Sequence, residues 1–309
     1  MLRIKVPATS ANLGPGFDTL GLALACYNTF DVALSNELEL TGIPCEFSGP
    51  DNLFAQAYAA TRELIPAEKR PRQASVKAHF QADIPISRGL GSSAALLVGG
   101  AVAANELAGS PLSDDDIFQI CTRFEGHPDN VAPAVFGGMT ASFVAEDGVA
   151  ITSQIPMSDQ LYFTAFIPDF AVPTAQARAV MPRQLPVQDA VFSMSRAISL
   201  IAALGPGGLP AEPTQAAQRL RELTKDKIHQ PYRQRLIPDW PELLKRVHQA
   251  GGALAVSGSG STCLGISVGQ PLGPQVDLAG LEANWRALDL PLHLGGPIVE
   301  DLAGENEAK

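Results

Sequence analysis

Residues 85 to 109, Pro-Ile-Ser-Arg-Gly-Leu-Gly-Ser-Ser-Ala-Ala-Leu-Leu-Val-Gly-Gly-Ala-Val-Ala-Ala-Asn-Glu-Leu-Ala-Gly, constrain the fold most, because a loop rich in glycine and serine runs straight into an apolar helix. Gly89 and Gly91 allow positive φ and let the backbone approach a ligand with no Cβ in the way. Ser92 and Ser93 add two hydroxyls at the first helical turn. Unpaired N–H groups and the positive end of the helix dipole face the loop, and a phosphate suits both. An ordinary loop before a serine-capped helix has the same local sequence, so other stretches must decide.

At 309 residues the chain is long enough for two domains sharing a cleft. Its formal charge of −10 and pI near 5.0 argue against a nucleic-acid partner or an anionic membrane surface, which need clustered Lys and Arg. An acidic chain that binds a nucleotide has to use local backbone dipoles and a metal ion. Cys26, Cys45, Cys121 and Cys263 show no paired spacing and read as small buried apolar residues in a reducing compartment. The N-terminus has no apolar leader, and the run Ala94 to Ala104 is too short for a bilayer, so a cytoplasmic protein is expected. The sequence does not fix the oligomeric state, a homodimer being one option.

Leu2, Ile4 and Val6 alternate as a strand expected to stop at Pro7, and residues 7 to 18 then read as a loop. Strand patterns follow at Leu20 to Ala25, at Phe30 to Leu34 and around Leu38 and Leu40. A helix is expected over residues 52 to 65 and a strand through Val76, Ala78 and Phe80. Ser113 caps the next helix, whose buried stripe is Ile117, Ile120, Cys121 and Phe124. Asp147-Gly148 marks a hairpin. A boundary near Pro156 divides the chain into residues 1–156 and 157–309. The second part reads as helices near 188–204, 214–224 and 240–250 and a strand pair around the loop at 257–262, with a frayed tail from Asp301.

Glu125 closes a helix, where the dipole disfavours an acid and invites a cation. A solvated surface glutamate fits the same position. The polar knot His127, Asp129 and Asn130 that follows favours a functional role. Thr174 and Arg178 share a helical face, and Arg233 lies in a second loop-like setting. The two arginines together can clamp a carboxylate with planar, bidentate contacts. The run Val256-Ser-Gly-Ser-Gly-Ser-Thr-Cys263 has more glycine than a hairpin needs and suggests close approach to another loop or a ligand.

The order of these motifs resembles that of the GHMP kinases: Pro7 to Asp18 as the first motif, Pro85 to Ala95 as the phosphate loop, and Gly252 to Cys263 as the third. Glu125 to Pro133 is similar to a stretch found in the bacterial branch of that family acting on homoserine; another small-molecule kinase of the family is the alternative, but those for mevalonate or galactose share the phosphate loop and not this stretch. The resemblance implies an α+β protein, with a ribosomal protein S5 domain 2-like N-terminal domain containing a left-handed β-α-β unit and a ferredoxin-like C-terminal domain. It implies ATP between them, with phosphates on Pro85, Arg88, Gly89, Leu90, Gly91, Ser92, Ser93, Ala94 and Ala95 and adenosine near Asn52. By the same resemblance Ser93 and Glu125 hold Mg²⁺, and Asn12 and Asp18 bind the amino end of L-homoserine. Arg178 and Arg233 take its carboxylate, Asn130 the side-chain hydroxyl, and Thr174 and Arg178 lie by the transferred phosphoryl group. Direct in-line transfer needs no strong base. Leu96 and Ser261 depart from the family pattern, where a small polar residue and a proline are common.

Gly89-Leu-Gly-Ser-Ser-Ala94 also satisfies the dinucleotide fingerprint of an NAD-dependent oxidoreductase. Against this, Pro85 interrupts the preceding strand, and Asp114 to Asp116 open a helix where a ribose-binding acid should close a strand. A nucleotide or amino-acid sensor without turnover is a further alternative, disfavoured because it has no need of Glu125.

Overall fold

A computed structural model describes residues 1–302. The alternation at the N-terminus produces β1 (Leu2–Ala11), which does not stop at Pro7 as expected. Its register against the next strand shifts between Pro7 and Ala8, and a bulge there tolerates a residue without an N–H. The expected loop is therefore shorter, running from Asn12 to Thr19. The two apolar stretches around Cys26 form one continuous strand, β2 (Leu20–Ser35). Then come β3 (Glu39–Thr41), α1 (Leu53–Leu64) and β4 (Ser75–Ala82); β3 and β4 pair in parallel, so the three make a β-α-β crossover.

Three helices follow: α2 (Ser92–Leu107), α3 (Asp114–Glu125) and α4 (Val131–Phe136). Ser113 and Asp116 form a complete capping box at the start of α3. In α2 the side chains of Ala95, Leu97, Val98 and Ala101 are all fully buried, which accounts for its lack of a polar face. The hairpin β5 (Met139–Val144) and β6 (Ala150–Ile155) turns through Asp147 and Gly148, as its sequence predicts. Beyond Pro156 lie β7 (Leu161–Pro168), α5 (Thr174–Ala179), α6 (Val187–Leu204), α7 (Pro213–Leu223), α8 (Gln230–Arg233) and α9 (Trp240–Gln249). The described chain ends with β8 (Ala253–Val256), β9 (Cys263–Val268), β10 (Trp285–Asp289) and β11 (Ile298–Asp301).

Two sheets organise these elements. The first runs β11-β1-β2-β4-β3, with the β5-β6 hairpin attached to β2. The second runs β10-β7-β9-β8, with antiparallel neighbours throughout, which is the strand order of a ferredoxin-like unit. The helix that would precede its last strand is reduced to a 3₁₀ turn at Gly273–Gln275. The end of the chain crosses back: β11 pairs with β1 from Leu2↔Asp301 to Lys5↔Ile298. Asp301 thus closes a strand instead of opening a frayed tail, and the rest of that expected tail, residues 303–309, lies outside the described residues.

The cysteines depart from the expected uniform burial. Cys121 and Cys263 are buried, but Cys26 is half-buried and Cys45 exposed, because Cys45 lies in a 3₁₀ turn after Pro44. All four are free. Helix α6 is long and apolar enough to cross a membrane by length and composition alone, at 18 residues with mean hydropathy 1.3. It buries Ser193, Leu200, Ala203 and Leu204 and exposes Val187, Val191, Met194 and Ile198.

Candidate active site

Between β4 and α2 the chain makes the glycine-serine loop. Gly89 and Gly91 adopt φ of 76° and 70°, the left-handed region expected of them. A Cβ at Gly89 would lie 2.1 Å from the Ser257 carbonyl oxygen, and one at Gly91 would lie 1.8 Å from Thr9 Oγ1. The loop is held from two sides. Thr9 N donates to Leu90 O at 3.1 Å, Ser257 Oγ to Gly89 O at 2.6 Å, and Thr262 N to Arg88 O at 3.0 Å. The third glycine-rich stretch therefore does approach another loop closely. The residue preceding α2 is Gly91, and no side chain caps the helix. A serine-capped helix is thus excluded, and side chains leave the first-turn N–H groups free for an anion.

Glu125 ends α3 beside this loop, and Ser93 Oγ donates to its Oε1 at 2.7 Å. Burial raises the Glu125 pKa above the ordinary glutamate value, outweighing the Ser93 hydrogen bond and the nearby His127. His127 Nδ1 lies 2.5 Å from Oδ1 of the buried Asp129. Burial opposes a charge on His127, yet Asp129, Glu125 and Asp18 together hold its pKa above the usual value. Asn130 stands at the N-cap position of α4 but does not cap it; its Oδ1 accepts from Thr9 Oγ1 at 2.8 Å.

The loop after β1 supplies the other wall. Asn12 and Asp18 have φ of 75° and 51°, a conformation that Asn and Asp tolerate better than most residues. Asn12 Oδ1 accepts from Asp18 N at 3.0 Å, and Asn12 Nδ2 donates to Gly258 O at 2.8 Å. Arg233 Nη1 donates to the same carbonyl at 2.7 Å. The Arg233 guanidinium stands 5.0 Å over the Phe17 ring, which stacks on His229. Arg233 is 3% exposed, and burial depresses its pKa, with Asp18 opposing. Its buried Nε has no partner, and among the described residues its Nη2 makes no hydrogen bond either. One edge of the guanidinium fork is therefore open. Both terminal nitrogens of Arg178, on α5, reach the Asp18 carboxylate at 3.3 Å.

These residues line one cleft of about 430 Å³. It brings together Asn12, Asp18, Asn52, Arg88, Gly89, Gly91, Ser92, Ser93, Glu125, Asn130, Thr174, Arg178 and Arg233. Leu90, Ala94 and Ala95 are buried in the core, and Pro85 does not line the cleft. The Arg88 guanidinium donates to the carbonyls of Pro168 and Asp169. Asn52 caps α1 through Phe54 N and donates to Phe47 O. Sequence reasoning missed an apolar set in the lining, Ile43, Pro44, Phe47, Leu53, Phe80 and Ile86, whose residues share no local motif. His127 and Asp129 also line the cleft, and their density of polar groups was the available signal.

Residues 52–138 match the GHMP kinases N terminal domain, and residues 208–272 match the GHMP kinases C terminal domain. A homoserine kinase from Petrotoga mobilis is 41% identical over 270 residues, covering 86% of this chain and 84% of the relative. The chain belongs to the GHMP kinases. A second homoserine kinase of this family, from Clostridium botulinum strain Eklund 17B, is 36% identical over 268 residues, 86% of each chain. The fold matches a homoserine kinase crystal structure from Cytophaga hutchinsonii with a TM-score of 0.83 over 97% of both chains, at 24% identity. The mevalonate kinase of Methanococcus jannaschii also shares the GHMP fold, with a TM-score of 0.65, 15% identity, and coverage of 94% of this chain and 98% of that one. As a GHMP kinase the protein uses ATP, and the dinucleotide alternative falls. Asp114, Asp115 and Asp116 form the first turn of α3, where Asp116 completes a capping box.

Proposed function

We propose that this GHMP kinase transfers the γ-phosphoryl group of ATP to the side-chain hydroxyl of L-homoserine. The observation that carries the reading is the open Nε–Nη2 edge of buried Arg233, in the same cleft as the Asp18 carboxylate and the glycine-serine loop. A guanidinium fork with an unpaired buried nitrogen suits a carboxylate, and an acid nearby suits an ammonium. Together they favour an amino acid over a sugar or a hydroxy acid lacking the ammonium. The names of the two sequence relatives point the same way.

In this reading the uncapped start of α2 and the Gly89–Ser93 backbone cradle the phosphates, and the apolar set around Phe47 takes the adenine. Asn12 and Asp18 hold the amino end of homoserine, Arg178 and Arg233 its carboxylate. Asp18 and Arg178 contact each other in the structure, so substrate binding separates them and gives each a new partner. Asn130 holds the reacting hydroxyl, with Thr174 beside the phosphoryl group. Ser93 and Glu125 fit a hard divalent cation: both offer oxygen, and burial leaves the carboxylate in need of a positive neighbour. Mg²⁺ bound there would neutralise charge on the β- and γ-phosphates. The remaining work is alignment of hydroxyl and phosphorus. As the new P–O bond forms, the bond from the γ-phosphorus to the β,γ-bridging oxygen breaks to release ADP and the hydroxyl proton leaves to a γ-phosphoryl oxygen, so transfer depends on positioning more than on a strong base. The proposal includes a cytoplasmic enzyme of two units divided near Pro156.

A coupled ADP-release assay with homoserine, threonine, serine, mevalonate and shikimate tests the reading. Metal-dependent turnover strongest with homoserine is expected. No turnover with any of them would favour a sensor, and a preference for mevalonate would overturn the role given to Arg233 and Asp18.

A further inference from the structure

Thr9 lies on β1, fully buried, and does not line the cleft. It nevertheless touches both halves of the reaction centre. Its N–H donates to Leu90 O, and its hydroxyl occupies the space that any side chain at position 91 would need. The same hydroxyl donates to Asn130 Oδ1 at 2.8 Å. Asn130 stands where asparagine commonly caps a helix, but its amide oxygen is turned to Thr9 and makes no cap. Its Nδ2 makes no hydrogen bond among the described residues, although the residue is only 9% exposed and lines the cleft. A buried amide with its oxygen satisfied and its NH₂ open is arranged to donate to an acceptor oxygen.

We propose that Thr9 is a positioning residue that fixes the Asn130 amide, NH₂ towards the cleft, in register with the phosphate loop. The inference rests on the assignment of Asn130 to the substrate hydroxyl. An N–H from Asn130 to that oxygen leaves a lone pair free to face the phosphorus. Because one side chain contacts both Asn130 and Gly91, the distance between acceptor and donor is set by the core of the protein and not by the mobile ends of side chains. Misplacing a reacting atom lowers kcat more than it weakens binding of the other substrate.

The test is a cycle of Thr9→Val, Thr9→Ser, Asn130→Ala and the double variant Thr9→Val/Asn130→Ala. Readouts are kcat, both KM values and ATP affinity by calorimetry. Thr9→Val should lower kcat about tenfold or more with ATP affinity within about threefold, and Thr9→Ser should restore kcat to within about threefold of the parent. In the Asn130→Ala background, Thr9→Val should change kcat less than about twofold, since the two act as one unit. An equal loss in both backgrounds, parental kcat in Thr9→Val, or lost ATP affinity with Thr9→Ser failing to rescue would each overturn the proposal. If Thr9→Val fails to fold, Thr9→Ala carries the same cycle. Parental kcat in Asn130→Ala alone would instead overturn the Asn130 assignment, which separates failure of that reading from failure of the Thr9 proposal.

Discussion

Arg233 combines a charge, near-complete burial and an unpaired nitrogen, a combination a structural role leaves unexplained. Arg233→Lys keeps the charge and loses the fork, so KM for homoserine should rise about tenfold or more, as loss of a charge-assisted contact of roughly 1.5 to 3 kcal/mol implies, with KM for ATP little changed. An unchanged homoserine KM would refute the carboxylate assignment. His229 gives a pH prediction. Burial pushes its pKa down to about 4 from 6.5. The unfolded chain thus binds the proton more tightly, and the stability this residue contributes is present above the unfolded value and lost as pH falls from about 6.5 towards 4. The gap corresponds to something on the order of 3 kcal/mol. His229→Gln should flatten the pH dependence of the urea midpoint between pH 7 and pH 4.5; a slope equal to the parent's would contradict this. Glu125 was legible in the sequence because it is an acid at a helix end that disfavours it, Arg233 because it pairs with Arg178 as a carboxylate clamp, and Asp18 only through the resemblance of residues 7 to 18 to the first family motif. His229 was not, since its burial comes from Phe17 and Gly14, distant in the chain.

The glycine-serine loop owes its shape to strand β1 and to the loop at 257–262 as much as to its own residues. Gly89 and Gly109 have nearly the same φ, 76° and 80°, but a Cβ at Gly109 meets nothing within 4 Å. Gly109→Ala should therefore cost only the left-handed conformation, about 1 kcal/mol. Gly89→Ala adds the collision with Ser257 and should cost more and weaken ATP binding; thermal melts and calorimetry of the pair check this, and equal effects would contradict the packing account. Glu125→Ala should chiefly lower kcat and shift the Mg²⁺ dependence, and near-normal turnover at low Mg²⁺ would rule out its metal role. The elements were well marked by their caps and turns, as at Ser113 and Asp147-Gly148, although the buried stripe expected for α3 fails at Phe124, which is exposed while Phe118 is buried. The strand end at Pro7 was misread because proline breaks regular pairing, and only the partner strand reveals the bulge that accommodates it. The parallel pairing of β3 with β4 has no local signature either, since β3 is only three residues long.

The whole molecule joins two sheets around one cleft, with the end of the described chain returned to the first sheet through β11. The order of the motifs made the architecture legible, because four stretches spread from residue 7 to residue 263 agree only in a single fold. The return of β11 was not legible: Ile298 to Asp301 carries too few apolar residues for alternation to show. The apolar wall around Phe47 was hidden for a related reason, since residues from separate elements meet there only after folding. The central claim is that this cleft transfers the γ-phosphoryl group of ATP to an amino-acid side-chain hydroxyl. It is tested most directly by following purified protein, ATP, Mg²⁺ and L-homoserine by ³¹P NMR. The account predicts a phosphomonoester signal coupled to the side-chain methylene protons, growing in step with ADP. ADP accompanied only by inorganic phosphate, or no ATP consumed, would contradict it.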